Sequence, residues 1–342
     1  MGVDIGALAP KQGVSLESLS GKKVAIDGNN ALYQFLAIIR QKDGSPLVDS
    51  RGRVTSHISG LFYRTARLAE AGIRPAYVFD GEPPLLKRRT VEERRELRAE
   101  AKEKWEAALR EGNLAGARTA AMASSRLTRP MVEDAKRLLT LMGIPWVQAP
   151  QEGEAQAAFM AASGSVHASA SQDYDSLLLG APRLLRNLAI TGRRKLPGRA
   201  DYAEVVPEMI ELEAMLSANG ISREQLVWLA ILVGTDFNEG VKGIGPKKAL
   251  KLVKECGSLD EAVRKSGGDF EVEPAEVEKL FLSPEVERGY ALDFGVPDAR
   301  AITDFLVTEY DFSRERVENA AKSFAGKMAE ASQQSRLGDW FG

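Results

Sequence analysis

Seven acidic residues stand where apolar segments run out: Asp27, Asp80, Glu152, Glu154, Asp173, Asp175 and Asp236. Gathered in one place they would repel one another severely unless cations neutralised them. Hard carboxylate oxygens suit Mg²⁺, with Mn²⁺ as a substitute. Two such ions ~3.5–4 Å apart clamp a phosphodiester and stabilise the attacking and leaving oxygens together. Taken singly, Asp27 before Gly-Asn-Asn and Asp80 before Gly-Glu-Pro-Pro also read as helix caps or turn formers. As a set at successive element ends, the seven point to metal. His57 and His167 are the only histidines and Cys256 the only cysteine. That leaves no thiolate zinc cage and no internal disulfide, and it nearly excludes a histidine relay. Asp173 and Asp175, two apart, face the same way in extended chain. Glu152 and Glu154 would diverge by ~200° on a regular helix, so a turn at the helix start must aim both at one centre.

The surrounding sequence supplies elements able to hold these acids. Residues 22–27 (KKVAID) read as a buried strand ending in Asp27, and residues 31–40 carry helical spacing through Leu32, Phe35, Leu36 and Ile39. A Gly/Pro/Asp loop follows over 42–53, Thr55 is placed to cap a helix through residue 69, and residues 76–80 form a second strand ending in an acid. This β-α-α-β opening predicts an α/β sheet domain, whose ligand sites lie beyond the carboxyl ends of its strands. Residues 85–125 differ in kind, being rich in Arg, Lys, Glu and Ala, and predict exposed helices. Core patterning resumes with a helix over 132–141, strands at 144–147 and 166–171, and a helix over 154–162. Residues 184–190 and 202–206 read as a strand pair around the basic turn 192–199. A strongly apolar helix over 223–233, a loop over 234–245, a helix over 246–255 and further helices complete the chain.

The 342 residues are 44% apolar and 27% charged, an ordinary globular balance with a formal net charge of −2. No apolar run approaches the ~18 residues of a membrane span. The opening MGVDIGALAP lacks a secretory pattern, and Gly6 stands where a myristoylation motif needs Ser or Thr. Basic residues cluster at Lys22 and Lys23, at Lys87 to Arg89, at Arg94 and Arg95, at Arg193 to Lys195, and at Lys247 and Lys248. Gly243-Ile244-Gly245-Pro246-Lys247-Lys248 puts two glycines and a proline directly before a helix, a backbone-built anion site suited to gripping a DNA phosphate. The tail holds Gln334, Leu337, Trp340 and Phe341, spaced to put one helical turn into a partner's apolar pocket.

Read together, VAIDGNNALYQFL, VTSHISGLFYRT, AYVFDGEPPLLKRR, APQEGEAQAA, SQDYDSLLLG and LVGTDFNEGVKGIGPKKAL resemble the flap endonucleases of archaea and eukaryotes over nearly the whole chain, with the opening MGV. The resemblance implies a mixed, mainly parallel α/β sheet of the PIN-like 5′ nuclease fold, with a helical arch and a helix-turn-helix-type DNA-binding element. It implies two Mg²⁺ held by the seven acids, Asp175 being essential for cutting. Lys87 and Arg94, seven apart on one helix face, would steady the scissile phosphate from the arch. Tyr33 would stack on a nucleobase, and Arg40 and Thr55 would help receive a one-nucleotide 3′ flap. Gly243, Gly245, Lys247 and Lys248 would grip the backbone, with K⁺ on carbonyls at 240–243. The tail resembles the box that binds a PCNA-type sliding clamp, and no lysine-rich segment follows it, which leans archaeal. The implied units are 1–98 and 116–258 as nuclease regions, 99–115 as the linking arch (about 85–125 in all), 259–330 as C-terminal helices and 331–342 as the clamp tail. A monomeric, intracellular, DNA-associated 5′ flap endonuclease with 5′–3′ exonuclease activity is the expected function. The alternatives are a 5′ exonuclease or junction resolvase, a non-catalytic DNA-binding clamp partner, and a metal-dependent toxin-type RNase.

Overall fold

The computed structural model describes residues 2–41, 43–190, 192–195 and 202–341, without the side chains of 88, 89, 190, 192–195, 202–204 and 331–341. Its strands are β1 (Gln12–Gly13), β2 (Lys23–Asp27), β3 (Arg74–Phe79), β4 (Trp146–Gln148), β5 (Ala168–Ala170), β6 (Arg183–Arg186), β7 (Gly192–Lys195), β8 (Tyr202–Val205) and β9 (Glu208–Glu211). The first-half helices are α1 (Gly28–Ile38), α2 (Ser56–Glu70), α3 (Arg88–Arg110), α4 (Leu114–Ala123), α5 (Arg129–Leu141) and α6 (Gly153–Ala162). The second half holds α7 (Asp175–Leu178), α8 (Leu212–Asn219), α9 (Arg223–Val233), α10 (Pro246–Lys254), α11 (Leu259–Ser266), α12 (Pro274–Leu282), α13 (Ala299–Asp304) and α14 (Arg314–Phe341). None of the described helices is long and apolar enough to cross a membrane.

β2 and β3 are nearly continuous apolar runs because both faces of the sheet are covered. Val24 and Ile26 face the core formed with α1, α2, α5, α13 and α14, while Ala25 faces the smaller core under α6, the two-residue alternation of a strand. The sheet order is β1-β9-β6-β5-β2-β3-β4, parallel from β4 to β6 and antiparallel at β9 and β1. From β2 the chain steps outward through β3 to β4, and the later strands β5 and β6 build on β2's other edge. The order therefore reverses between β2 and β5, the place where an open α/β sheet leaves a crevice at its carboxyl edge. Asp27 ends β2, Asp80 follows β3, Glu152 follows β4 and Asp173 follows β5.

A second apolar core surrounds α9, which buries Leu226, Val227, Leu229, Ala230, Ile231 and Leu232. Its boundaries match the sequence reading, with a Ser222 capping box at the start and Gly234 at the end. One expectation needs correction. The strand pair around the basic turn is β7 with β8, while β6 pairs with β5 and β9. Leu184 and Leu185 are fully buried, so β6 belongs inside the main sheet rather than in an exposed ribbon. The helix α3 runs unbroken across residue 98.

His57, in the first turn of α2, is 1% exposed, and neither ring nitrogen has a hydrogen-bond partner. Burial disfavours the imidazolium and lowers the pKa from 6.5 to about 4. Between those values the unfolded chain binds a proton that the folded chain does not. Stability is therefore full above pH 6.5 and falls as the pH drops toward 4. His57→Leu should flatten that part of the thermal-unfolding profile, by up to about 3 kcal/mol at pH 4; parallel pH profiles for the two proteins would refute this.

Candidate active site

Each acid reaches the carboxyl edge of the sheet by its own local device. Asp27 is the N-cap of α1 and accepts the Asn30 backbone N–H at 2.9 Å, so it is a cap and a lining residue at once. Asp80 does not cap; it accepts the Gly153 N–H at 2.7 Å, which ties β3 to the start of α6. Glu152 is the N-cap residue of α6 and Glu154 lies in its first turn, the helix-start geometry that turns both toward one centre. Glu154 accepts the Ser176 hydroxyl at 2.7 Å and the Ser176 N–H at 3.1 Å. Asp173 and Asp175 are not in extended chain, as their spacing suggested. The Asp173 N–H turns back onto the Ser171 hydroxyl, and Asp175 opens the short helix α7. Asp175 accepts the Val3 N–H at 2.9 Å, and a Cβ on Gly2 would lie 2.5 Å from its carboxylate, so only glycine fits there. Asp236 arrives from the loop after α9.

All seven carboxylates line one cavity of about 160 Å³, together with Asn29, Asn30, Tyr33, Lys87 and Arg94. Burial raises Asp27 and Glu154 well above the usual carboxylate range, with Asp80 adding to the first and Asp175 to the second. Burial and the Glu152 charge lift Asp80 to about 6, against the Gly153 hydrogen bond. Burial lifts Asp175 to about 7, opposed by the Val3 N–H and reinforced by Asp236. On Asp236 burial also acts upward, but Lys87 and Arg94 outweigh it and hold the pKa low. Lys87, buried yet beside Glu152 and Asp236, is raised.

The two cations come from the base of the charged helices. Lys87 bonds to Glu152 and lies 3.5 Å from Asp236, Arg94 pairs with Asp236 at 2.5 Å, and the Thr90 hydroxyl donates to the Asp236 carbonyl at 2.6 Å. Lys87 and Arg94 thus share one face, as their spacing implies. Among the described residues seven carboxylates against two cations leave surplus negative charge, and the all-oxygen donor set fits hard divalent ions. Among the described residues no three acids close into a cage by themselves. They line an open bowl, which suits an ion that keeps waters and takes phosphate oxygens as further ligands.

A larger cavity of about 1180 Å³ adjoins the bowl, between α1, the inner face of α3 and the loop after α9. Tyr33 lines both cavities, with the Arg98 guanidinium 5.0 Å over its ring. Arg40 bonds to the Gly44 carbonyl and the Ser125 hydroxyl, both at 2.7 Å, tying its loop to the end of α4. Thr55 stands at the N-cap position of α2 but is 3% exposed and its side chain makes no capping bond, so the expected cap is corrected to a packed residue. Gly243 adopts φ +83, a left-handed conformation that favours glycine, and Gly245 is the N-cap of α10. The Lys248 ammonium donates to the Gly243 carbonyl at 2.9 Å, and Lys247 is exposed. The side chains of Gln334, Leu337, Trp340 and Phe341, and of the basic residues 193–195, lie outside the described residues. Sequence reasoning passed over Asn29, Asn30, Gln34, Thr90 and Arg98; the consecutive amides after Asp27 were the available signal.

Comparison with known proteins places this geometry in a lineage. Residues 5–101 match the XPG N-terminal domain and residues 143–236 the XPG I-region. Flap endonuclease 1 of Thermococcus onnurineus is 55% identical, with 100% of this chain and 99% of the relative covered, and that of Pyrococcus furiosus is 55% identical with the same coverage. The solved flap endonuclease-1 from Methanococcus jannaschii superposes with a TM-score of 0.77 at 44% identity, over 96% of this chain and 99% of that one. The catalytic core of Rad2 in complex with DNA substrate gives 0.69 at 26% identity, over 94% and 97%. With 55% of its residues shared end to end with the Thermococcus and Pyrococcus proteins, the chain belongs to the flap endonuclease 1 family of nucleases.

Proposed function

We propose that this protein is a structure-specific 5′ flap endonuclease, with 5′–3′ exonuclease activity, that hydrolyses a phosphodiester one nucleotide inside the flap junction. The observation that carries this reading is the convergence of seven carboxylates and two arch cations on one cavity at the sheet's switch point. The resulting nick suits Okazaki fragment maturation and repair. Asp27, Asp80, Glu152, Glu154, Asp173, Asp175 and Asp236 would hold two Mg²⁺, or Mn²⁺. When bound, these ions supply a hydroxide nucleophile and neutralise the phosphate. Lys87 and Arg94 would exchange their carboxylate partners for the scissile phosphate as DNA arrives, so the charges that quiet the bowl also recognise its substrate. Tyr33 would receive a nucleobase once Arg98 leaves its ring.

The segment from 85 to 125 acts in this reading as the arch over a threaded 5′ strand, joining nuclease regions 1–98 and 116–258 through 99–115. The start of α10, through Gly243, Gly245, Lys247 and Lys248, would grip the duplex backbone, K⁺ taking the carbonyls of 240–243 in place of Lys248. Arg40 would border the site of the 3′ flap. Residues 259–330 form the supporting helices, and 331–342 would engage a PCNA-type sliding clamp. The enzyme works as a monomer, inside the cell and on DNA.

With a double-flap substrate and Mg²⁺, the wild type should cut, EDTA should stop it, and Asp175→Ala should abolish cutting while leaving flap binding largely intact. Wild-type rates for that variant would end the metal assignment, and equal cleavage of a four-way junction would favour a resolvase. Lys87→Ala should slow single-turnover cutting about 10²–10³-fold, the usual cost of removing one preorganised charge from a developing oxyanion. Phe341→Ala should lose clamp stimulation and keep basal cutting; full stimulation would remove the clamp reading of the tail.

A further inference from the structure

The carboxylates of the bowl differ in what steadies them. Glu152 and Asp236 are held by the ammonium and guanidinium of Lys87 and Arg94. Asp27, Asp80, Glu154 and Asp175 are held by backbone N–H groups or a serine hydroxyl. Asp173 depends on a side-chain amide, as Asp80 does in part on Asn29: Asn30 Nδ2 donates to the Asp173 Oδ2 at 3.2 Å.

That amide is itself fixed from one turn further along α1. Gln34 Nε2 donates to Asn30 Oδ1, while Gln34 Oε1 is buried with no hydrogen-bond partner. The orientation is set by chemistry. If Gln34 turned its oxygen toward Asn30, the Asn30 NH₂ would swing to it and leave a carbonyl oxygen facing a carboxylate. Asn30 also gives its backbone N–H to Asp27 at 2.9 Å. One residue thus bonds to the acids at the ends of β2 and β5, on both sides of the switch point.

We propose that Asn30 and Gln34 are positioning residues that form a relay, Gln34 to Asn30 to Asp173, and fix which oxygen Asp173 offers to a divalent ion. A neutral amide suits this role because it orients the carboxylate without cancelling its charge, whereas a lysine there would compete with the ion. Partners of this kind typically set metal affinity by 10–100-fold. The inference rests on the metal reading given above.

The test is Mn²⁺ binding to the full DNA-free chain by isothermal titration calorimetry, with circular dichroism to check folding. Wild type against Asp173→Asn tests the metal reading: indistinguishable isotherms would overturn it, whatever the relay does. Against a wild type that passes, Asn30→Ala should weaken the affected site about 10-fold and Gln34→Met about 3-fold. The double variant should equal Asn30→Ala, because Gln34 acts through Asn30. Gln34→Glu, which can only accept, should draw the Asn30 NH₂ away and weaken binding more than Gln34→Met. Unchanged affinity in Asn30→Ala, or additive losses in the double variant, would overturn the relay. Should Asn30→Ala fail to fold, equal affinities for Gln34→Met, Gln34→Glu and wild type would overturn it as well.

Discussion

The cost of crowding carboxylates into one cavity, by desolvation first and mutual repulsion second, is the constraint around which the molecule is arranged. A folded chain has little reason to bring Asp27, Asp80, Glu154 and Asp175 into one cavity, because desolvation disfavours their charged forms and neighbouring carboxylates add to that cost. The structure tolerates the arrangement by giving every acid a donor. Most donors are dipoles fixed to the backbone, such as the N–H groups of Val3, Asn30 and Gly153. Among the described residues only Glu152 and Asp236 have cations as donors, and those cations stand at and beyond the start of a helix with its own large role.

That division bears on the charged helices. α3 buries almost no side chain, and besides α4 and the Arg98 guanidinium over Tyr33 its strongest described ties are at its base, where Lys87, Thr90 and Arg94 meet the bowl. Charge neutralisation replaces a hydrophobic core as the reason this helix stands where it does. An anchor made of ion pairs with Asp236 and Glu152 is sensitive to anything else that satisfies those acids or claims those cations. A divalent ion does the first and a phosphate the second, so ligand binding and the setting of α3 are coupled through the same four side chains.

Much of this was legible in the sequence, for physical reasons. Parallel strands buried on both faces read as short apolar runs, so β2 and β3 and the acids at their ends stand out. α9 carries an explicit capping box and a terminal glycine, which fixes its limits to the residue. Sheet partners are harder, because Leu184 and Leu185 look alike in a ribbon and in a central strand; only long-range pairing decides. Thr55 misleads for a related reason: a threonine before an apolar helix suggests a cap, yet packing turned it inward. The amides at Asn29, Asn30 and Gln34 lie within VAIDGNNALYQFL, but nothing in their spacing says which acid they serve. Their meaning depends on α1 being set beside β5, a juxtaposition that arises only when the sheet closes.

The bowl also straddles two cores, and its geometry depends on how they are joined. Asp27 and Asp80 sit on the sheet core, whereas Asp236 rides on the helical core around α9. The first residues of the chain help to join them: Val3 and Ile5 are buried in the helical core, the Leu8 carbonyl accepts from Asn219, and β1 then pairs with β9 at the sheet's edge. Val3 gives its N–H to Asp175 on the way. The N-terminal segment is therefore part of the apparatus that sets the distance between carboxylates from different cores. The absence of a side chain at Gly2 follows from that placement, since the chain must pass within contact of Asp175 to make the join. In this molecule the alignment of the two cores and the spacing of the acids are one geometric problem, solved at the start of the chain.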